Sequence, residues 1–259
     1  MPATPAWPPR SAPRLFVTGP LAEQAGVVLE GSQAHYLARV MRAGEGDAVV
    51  LCDDATGEWA ARVVASGKRF VELQVREKLR EREQVPDFWL CPALLKKDRF
   101  DLVLEKATEL GVRVIRPVIT RRCVADKLNP GRARTIVTEA AEQCARTALP
   151  ELADPVTLPH LLADWPSDRT LFFADEQGGA PARDAFAAHA GPAALLIGPE
   201  GGFDDAEREA IRALPKACAI TLGPRILRGE TAAIAATALW MGLAGDWAPA
   251  ELGSPLVAD

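Results

Sequence analysis

Short apolar segments alternate with polar turns over the first third of the chain. Five segments have the length and composition of β-strands, at residues 14–17, 27–29, 48–51, 58–64 and 69–75. The last alternates apolar and polar side chains, as a strand with one face in water does. One helix interrupts the strands, with Ser32 as its N-cap and Leu37, Val40 and Met41 at helical spacing. This succession predicts a small β-barrel over residues 14–80.

From residue 84 onward the pattern changes to buried strands separated by helices. A charged stretch at 76–84, followed by Pro86, indicates the boundary between two domains. Beyond it, apolar runs predict strands at 87–94, 112–120, 170–174, 193–197 and 217–222. Helices are predicted at 98–110, at 129–148, from Asp204 onward and at 231–243. This alternation predicts an α/β domain over residues 84–245, with a parallel sheet and helices on both faces.

Two of these helices carry specific signals. Asp204-Asp205-Ala206-Glu207 resembles a capping box, which starts a helix. The helix at 231–243 has no charged side chain and five alanines, so we expect it to be buried nearly all round. We favour burial both in its own core and against a second subunit, and a monomeric core helix is the alternative.

Composition places the chain among globular proteins, with 48% hydrophobic and 25% charged residues. No apolar run reaches the roughly 18 residues that a membrane-spanning helix needs. The N-terminus lacks the basic and apolar regions of a secretory signal, so we expect a cytoplasmic protein. Residues 1–13, which are rich in proline, are predicted to be disordered, and residues 246–259 to be a flexible tail. The five cysteines form no CxxC pattern and the three histidines are scattered, so no metal site is predicted.

The charge is uneven along the chain. Residues 1–150 hold 23 Lys and Arg against 19 Asp and Glu, whereas the remaining residues hold 7 against 16. An acidic chain still binds nucleic acid when its basic residues share one face. Ordinary surface variation explains the same asymmetry, and composition alone does not decide between the two.

Two glycine-bearing segments near the C-terminal end are the strongest candidates for a site. They are Gly198-Pro199-Glu200-Gly201-Gly202 and Gly223-Pro224-Arg225-Ile226-Leu227-Arg228-Gly229-Glu230. Each follows an apolar strand, so both fall where parallel α/β sheets bind ligands, and glycine permits close backbone approach. The patterns GxGxxG, GxxxxGK[ST] and GxSxG are absent from the chain. We therefore expect a crevice for a small polar ligand that is neither a Rossmann nor a P-loop site.

These two motifs closely resemble the signature of the ribosomal RNA small-subunit methyltransferase E family, of the SPOUT class. The resemblance extends to the stretches 106–112 and 139–146 and to Arg14-Leu15-Phe16, and it covers residues 14 to about 245. It implies S-adenosylmethionine as methyl donor and N3 of a uridine in small-subunit (16S) ribosomal RNA as acceptor. It also implies a PUA-like barrel, a homodimer and a C-terminal trefoil knot in the α/β domain, a rare exception among folds.

The resemblance further implies which residues hold the cofactor. They are Leu196, Ile197, Gly198, Glu200, Gly201, Leu222, Gly223, Ile226, Leu227, Arg228 and Thr231. The chain departs from the family at two places that commonly hold threonine, where it has Gly229 and Ala232. Gly229 removes one hydroxyl group from the second loop, while Glu230 and Thr231 remain.

Two residues within the family motifs are candidates for catalysis. Arg228 is placed to stabilise negative charge on a uracil carbonyl oxygen, and Glu142 to orient the base or accept its proton. The alternatives are structural: a salt bridge from Arg228 to Glu230 or Glu200, and a surface or interface ion pair at Glu142.

Basic residues at several places are candidates for RNA contacts, chiefly with phosphates. They are Arg14, His35, Arg39 and Arg42 in the barrel, and Lys96, Lys97 and Arg99 beyond the domain boundary. Two alternative functions stay open: methylation of another RNA position by a SPOUT enzyme, and a non-catalytic RNA-binding module.

Overall fold

The structure is a computed structural model that describes residues 7–247. The parts of the predicted tails at 1–6 and 248–259 lie outside the described residues. Contacts between residues divide the chain into two units. Unit 1 comprises residues 1–84 and 141–149, and unit 2 comprises residues 85–140 and 150–259.

Unit 1 is built on a five-stranded sheet. Its strands are β1 (Arg14–Phe16), β2 (Gly26–Glu30), β3 (Ala48–Cys52), β4 (Glu58–Ser66) and β5 (Phe70–Arg80), in the order β1-β3-β4-β5-β2. Leu37, Leu51 and Leu73 are fully buried in its core. The predicted N-cap at Ser32 is wrong, because α1 (Gly31–His35) starts directly from β2 with the extended Glu30 in the N-cap position. A π-helical turn, Tyr36–Val40, follows α1.

Residues 141–149 join unit 1 through polar contacts that sequence reasoning did not foresee. A carboxylate oxygen of Glu142 accepts the backbone N–H of Phe16 at 2.7 Å, and Asp54 accepts that of Leu149 at 2.9 Å. The helix predicted at 129–148 is shorter, and α3 spans Pro130–Gln143. Ala145 has a φ of 62°, and this left-handed conformation does not continue an α-helix.

A buried carboxylate organises one end of the unit 1 sheet. Glu58 is 4% exposed, and its two oxygens accept from the guanidinium groups of Arg14 at 2.6 Å and Arg80 at 2.6 Å. Burial by itself raises the pKa of Glu58, but the hydrogen bond from Arg80 and the charge of Arg14 outweigh it and hold that pKa below its ordinary value. Glu58 is therefore charged in the folded protein at neutral pH.

Unit 2 contains a seven-stranded sheet in which every pairing is parallel, as predicted. Its strands are β6 (Phe88–Pro92), β7 (Val114–Ile115), β9 (Glu151–Leu152), β11 (Thr170–Ala174), β12 (Ala180–Pro181), β13 (Ala193–Ile197) and β14 (Ala217–Thr221). The strand order is β12-β14-β11-β13-β6-β7-β9. All five residues of the central strand β13 are buried, which agrees with a sheet covered on both faces.

The single strand predicted at 112–120 is wrong. The chain forms β7 and then β8 (Val118–Ile119), which pairs with β10 (Val156–Thr157) in a separate two-stranded ladder. Pro117 lies between them, and it has neither a backbone N–H for a ladder nor the conformational freedom of other residues. The proline therefore ends one strand and redirects the chain into another sheet.

Helices cover both faces of the parallel sheet. On one face, α7 (Gly229–Leu243) packs against β6, β13, α2 (Lys97–Glu109) and α5 (Ala182–Ala187). On the other, α4 (Leu158–Ala163) and α6 (Asp205–Arg212) share a core cluster with Ala194 and Leu196 of β13. Within residues 7–247, no helix is long and apolar enough to cross a membrane, and no three His, Cys, Asp or Glu side chains are grouped to hold a metal ion.

The two faces of α7 differ. One is buried in the core of unit 2, where Trp240 stacks on Phe88 with ring centroids 4.2 Å apart. The other presents Thr231, Ala235 and Gly242 to solvent in the single chain. One face of α7 is thus buried by its own chain, and the other face is an exposed surface without charged side chains.

Candidate functional site

The two Gly-Pro loops meet, as the sequence predicted, and form a crevice of about 340 Å³ at the carboxyl ends of β11, β13 and β14. This volume falls within the range of about 300–1,000 Å³ that is usual for small-molecule sites. The lining comprises residues 174–176 after β11, 197–203 after β13, and 220–227, 229 and 232 around the second loop. We call this cavity the crevice.

Most of the predicted cofactor-binding residues line the crevice. They are Ile197, Gly198, Glu200, Gly201, Leu222, Gly223, Ile226 and Leu227. Leu196 is instead fully buried within β13, and its side chain packs in the core between the sheet and α6. Arg228 and Thr231 are exposed and lie beside lining residues, outside the lining itself. Cofactor binding by each of these residues remains a prediction.

Two glycines are needed for the shape of the crevice. Gly202 has a φ of +67°, which L side chains rarely adopt, and a Cβ there would lie 2.5 Å from a carboxylate oxygen of Glu176. A Cβ on Gly229 would lie 3.0 Å from Cδ2 of Leu95 and 3.3 Å from the carbonyl oxygen of Gly198. Gly229 thus brings the start of α7 directly against the first loop.

Sequence reasoning missed the acidic residues that follow β11. Asp175 is buried, and its carboxylate accepts from Arg208 at 3.0 Å and from Arg212 at 2.7 Å. Arg208, itself 4% exposed, also pairs with Glu176 at 2.8 Å, so these ion pairs fix the carboxylates in the lining. No Gly-Pro turn marks the carboxyl end of β11. The pairing of β11 with β13 and β14 is the signal that could have found these residues, because it places them at the sheet edge where ligands bind.

Two arginines hold the first loop in place, and a third pairs with the residue that caps the start of α6. Arg99 on α2 donates to the Glu200 carboxylate at 2.6 Å, and Arg122 donates to the Gly201 carbonyl oxygen at 2.7 Å. Arg121 pairs with Asp204 at 2.9 Å. The loop is therefore anchored along its length by side chains from outside it.

The capping box predicted at the start of α6 is confirmed. The Asp204 side chain accepts the Glu207 backbone N–H at 2.7 Å, and the Glu207 side chain accepts that of Asp204 at 3.1 Å. The backbone N–H of Glu207, aided by Arg121, holds the pKa of Asp204 below its ordinary value. The cap fixes the point at which the first loop ends.

The two candidate catalytic residues have different surroundings. Arg228 is exposed and forms no salt bridge among the described residues. Its two proposed partners, Glu200 and Glu230, are paired with Arg99 instead, at 2.6 Å and 3.8 Å. Glu142 lies in unit 1, where its carboxylate holds the backbone of Phe16. The structure thus supplies a structural partner for Glu142 and leaves the Arg228 side chain at the surface.

The predicted RNA-contacting residues also fall into two groups. His35, Arg39, Arg42, Lys96 and Lys97 are exposed. Arg14 is held by Glu58, and Arg99 by Glu200 and Glu230, so both already serve in ion pairs. Only the first group presents its side chains without a protein partner in the described part of the chain.

Comparison with known protein families matches both units. A family model of the RNA methyltransferase domain matches residues 81–241, and a model of the RNA methyltransferase PUA domain matches residues 29–76. The fold is therefore that of an RNA methyltransferase, an α/β protein of the SPOUT type with a PUA-like domain.

Individual relatives are more specific. Ribosomal RNA small subunit methyltransferase E of Synechocystis is 34% identical to this chain, covering 87% of it and 76% of the relative. The Rickettsia conorii protein of the same name is 30% identical, covering 87% of this chain and 93% of the relative. The crystal structure of the Neisseria gonorrhoeae protein of that name, bound to S-adenosyl methionine, is similar with a TM-score of 0.84 and 28% identity, covering 91% of this chain and 99% of that one. The chain belongs to the ribosomal RNA small subunit methyltransferase E family.

Proposed function

We propose that this protein transfers a methyl group from S-adenosylmethionine to N3 of a uridine in the RNA of the small ribosomal subunit. Family membership supports the methyltransferase activity and the RNA class, and the family signature in the sequence implies the uridine N3 position. The observation that carries the proposal is the crevice, where both signature loops meet at the carboxyl ends of parallel strands. An enzyme acting on ribosomal RNA would work in the cytoplasm, where we place it.

The residues of the crevice fit the chemistry of this cofactor. The first-loop glycines leave room for a ligand against the backbone, and Leu222, Ile226 and Leu227 supply apolar surface for a purine ring. Glu176 and Glu200 place carboxylate oxygens in the lining as hydrogen-bond acceptors, and each carboxylate is held in position by an arginine. When bound, S-adenosylmethionine supplies a methyl group activated by a positively charged sulfonium.

The acceptor needs help from the protein because uracil N3–H is a weak acid and is largely protonated at neutral pH. Arg228 would stabilise the negative charge that develops on a uracil carbonyl oxygen as this proton leaves. Arg228 is exposed, and in the sequence it stands between two lining residues, Leu227 and Gly229. Glu142 remains a proposed proton acceptor or orienting residue, although its carboxylate already accepts the Phe16 N–H.

We also propose a homodimer formed through unit 2, and a trefoil knot around the two loops. The exposed apolar face of α7 supports the dimer, since Ala235, Ile234 and Leu243 have no charged neighbour on that helix after Glu230. The insertion of β13 between β6 and β11 is compatible with the chain crossings that a knot needs.

In the barrel, His35, Arg39 and Arg42 would contact RNA phosphates.

The test is to methylate small-subunit RNA from a strain that lacks this protein. Purified protein and labelled S-adenosylmethionine are added to naked RNA and, separately, to assembled subunits, and the modified nucleoside is identified by mass spectrometry after digestion. N3-methyluridine at one position is the expected product. A different methylated nucleoside would favour the alternative of another RNA position. Absence of product together with no binding of millimolar cofactor would favour a non-catalytic RNA-binding module.

A further inference from the structure

A second cavity of about 390 Å³ lies in unit 2, between the first turn of α2 and the segment that leads into α3. Its apolar floor consists of Leu94, Leu95 and Phe100, each at most 3% exposed. Lys97 and Lys127 stand at its edge. We call this cavity the Lys97–Lys127 pocket.

The charges around this pocket are not balanced by the protein. Arg132 also lines it, but Arg132 donates to Asp101 at 2.6 Å and 3.0 Å, so these two opposite charges satisfy each other. Lys97 and Lys127 are exposed and have neither a salt bridge nor a hydrogen bond within residues 7–247. Since Arg132 offsets Asp101, Lys97 and Lys127 leave the lining with a surplus of positive charge, which attracts an anionic ligand.

The pocket and the crevice are separated by a single side chain. Leu95 lines the pocket, and its Cδ2 lies against Gly229, which lines the crevice. The same helix, α2, also carries Arg99, which pairs with Glu200 of the crevice lining. A ligand bound in the pocket therefore lies beside the crevice, with Leu95 between them.

We propose that the Lys97–Lys127 pocket binds an unpaired nucleotide of the RNA substrate, next to the nucleotide that is methylated. This inference rests on the proposed function and adds a second nucleotide subsite to it. The base lies on the floor of Leu94, Leu95 and Phe100, and its phosphate lies between Lys97 and Lys127. Proteins commonly bind single-stranded RNA in this way, with splayed bases on apolar or aromatic surface and cations on the backbone.

The first experiment removes the two charges. The variant Lys97→Gln with Lys127→Gln is compared with the unmodified protein and with Lys216→Gln. Lys216 is a matched control, because within residues 7–247 its ammonium group donates only to the Asp168 carbonyl oxygen. Binding of a small-subunit RNA fragment is measured by fluorescence anisotropy over a series of KCl concentrations, and KM is measured for RNA and for S-adenosylmethionine.

We expect the KM for RNA to rise about 10-fold in the double variant. The slope of log K against log salt should fall by about 0.7 for each phosphate contact that is lost. The KM for S-adenosylmethionine, and kcat at saturating RNA, should stay as in the unmodified protein. Lys216→Gln should change none of these quantities.

The second experiment fills the pocket without changing any charge. Ala125 is half-buried in the lining, and Ala125→Phe would occupy the space of the base. We expect weaker RNA binding with an unchanged melting temperature. If Ala125→Phe binds RNA normally, or if the double lysine variant keeps its KM and salt slope, the pocket is not a nucleotide site and the inference is wrong. Failure of the unmodified protein to methylate the RNA would overturn the proposed function as well.

Discussion

Arg122 is predicted to control cofactor affinity without touching the reaction. Its guanidinium Nη1 donates to the carbonyl oxygens of Gly201 at 2.7 Å and Phe203 at 3.3 Å. Its aliphatic stem also lies close to Gly201, where a Cβ would come within 3.3 Å of it. Arg122 itself is not part of the crevice lining, and it acts through the loop that is.

The expected magnitude follows from these contacts. Hydrogen bonds from charged groups contribute about 1.5–3 kcal/mol each when they are well shielded, and the exposure of Arg122 lowers that value. We take about 1.4 kcal/mol for the two contacts together, which corresponds to a factor of about 10 in an equilibrium constant. In Arg122→Ala the loop must be ordered when the ligand binds, so the Kd for S-adenosylmethionine should rise about 10-fold.

Isothermal titration calorimetry measures this Kd directly. Arg121→Ala is the matched control, because Arg121 pairs with Asp204 at the helix cap and makes no bond to the loop carbonyl groups among the described residues. Arg122→Lys should give an intermediate affinity, and kcat at saturating cofactor should be nearly unchanged in all three variants. A Kd for Arg122→Ala within twofold of the unmodified protein would refute the role of Arg122 in holding the loop.

Three further predictions concern stability, assembly and catalysis. The pKa of Glu58 is lowered on folding, so the charged Glu58 side chain stabilises the folded protein fully above its unfolded pKa near 4.5. This stabilisation is lost as the pH falls through the pKa that Glu58 has in the folded protein. Glu58→Gln should therefore lower the free energy of unfolding by about 2 kcal/mol at pH 7 in urea titrations, with a smaller difference from the unmodified protein below pH 4. Ala235→Glu should give monomers in light scattering, and a persistent dimer would exclude this face of α7 as the interface. Arg228→Ala should slow methylation about 100-fold at saturating cofactor, and full activity would remove Arg228 from the mechanism.

Much of the fold is predictable because local signals and the tertiary structure agree. The Asp204–Glu207 capping box is read from four consecutive residues, and it forms as predicted. The disagreements arise where one residue overrides a longer pattern. Pro117 divides a strand, and the left-handed conformation of Ala145 follows the early end of α3.

The crevice is predictable only in part. Its Gly-Pro loops are visible because glycine and proline mark them in the sequence, whereas Asp175 and Glu176 enter the lining only through the pairing of β11 with its neighbours. The pairing of Arg14 with Glu58, 44 residues away, depends equally on strand order. Contacts of this kind depend on tertiary packing, which hydrophobic periodicity does not specify.

The close contact between Gly229 and Leu95 links two positions that are far apart in the sequence. Any side chain at 229 starts 3.0 Å from the Leu95 methyl group and 3.3 Å from the Gly198 carbonyl oxygen, and that carbonyl cannot retreat without moving the crevice loop. A side chain at position 229 therefore fits only when the Leu95 side chain shifts by a few tenths of an ångström or is replaced by a smaller one. Positions 95 and 229 should therefore covary among related chains.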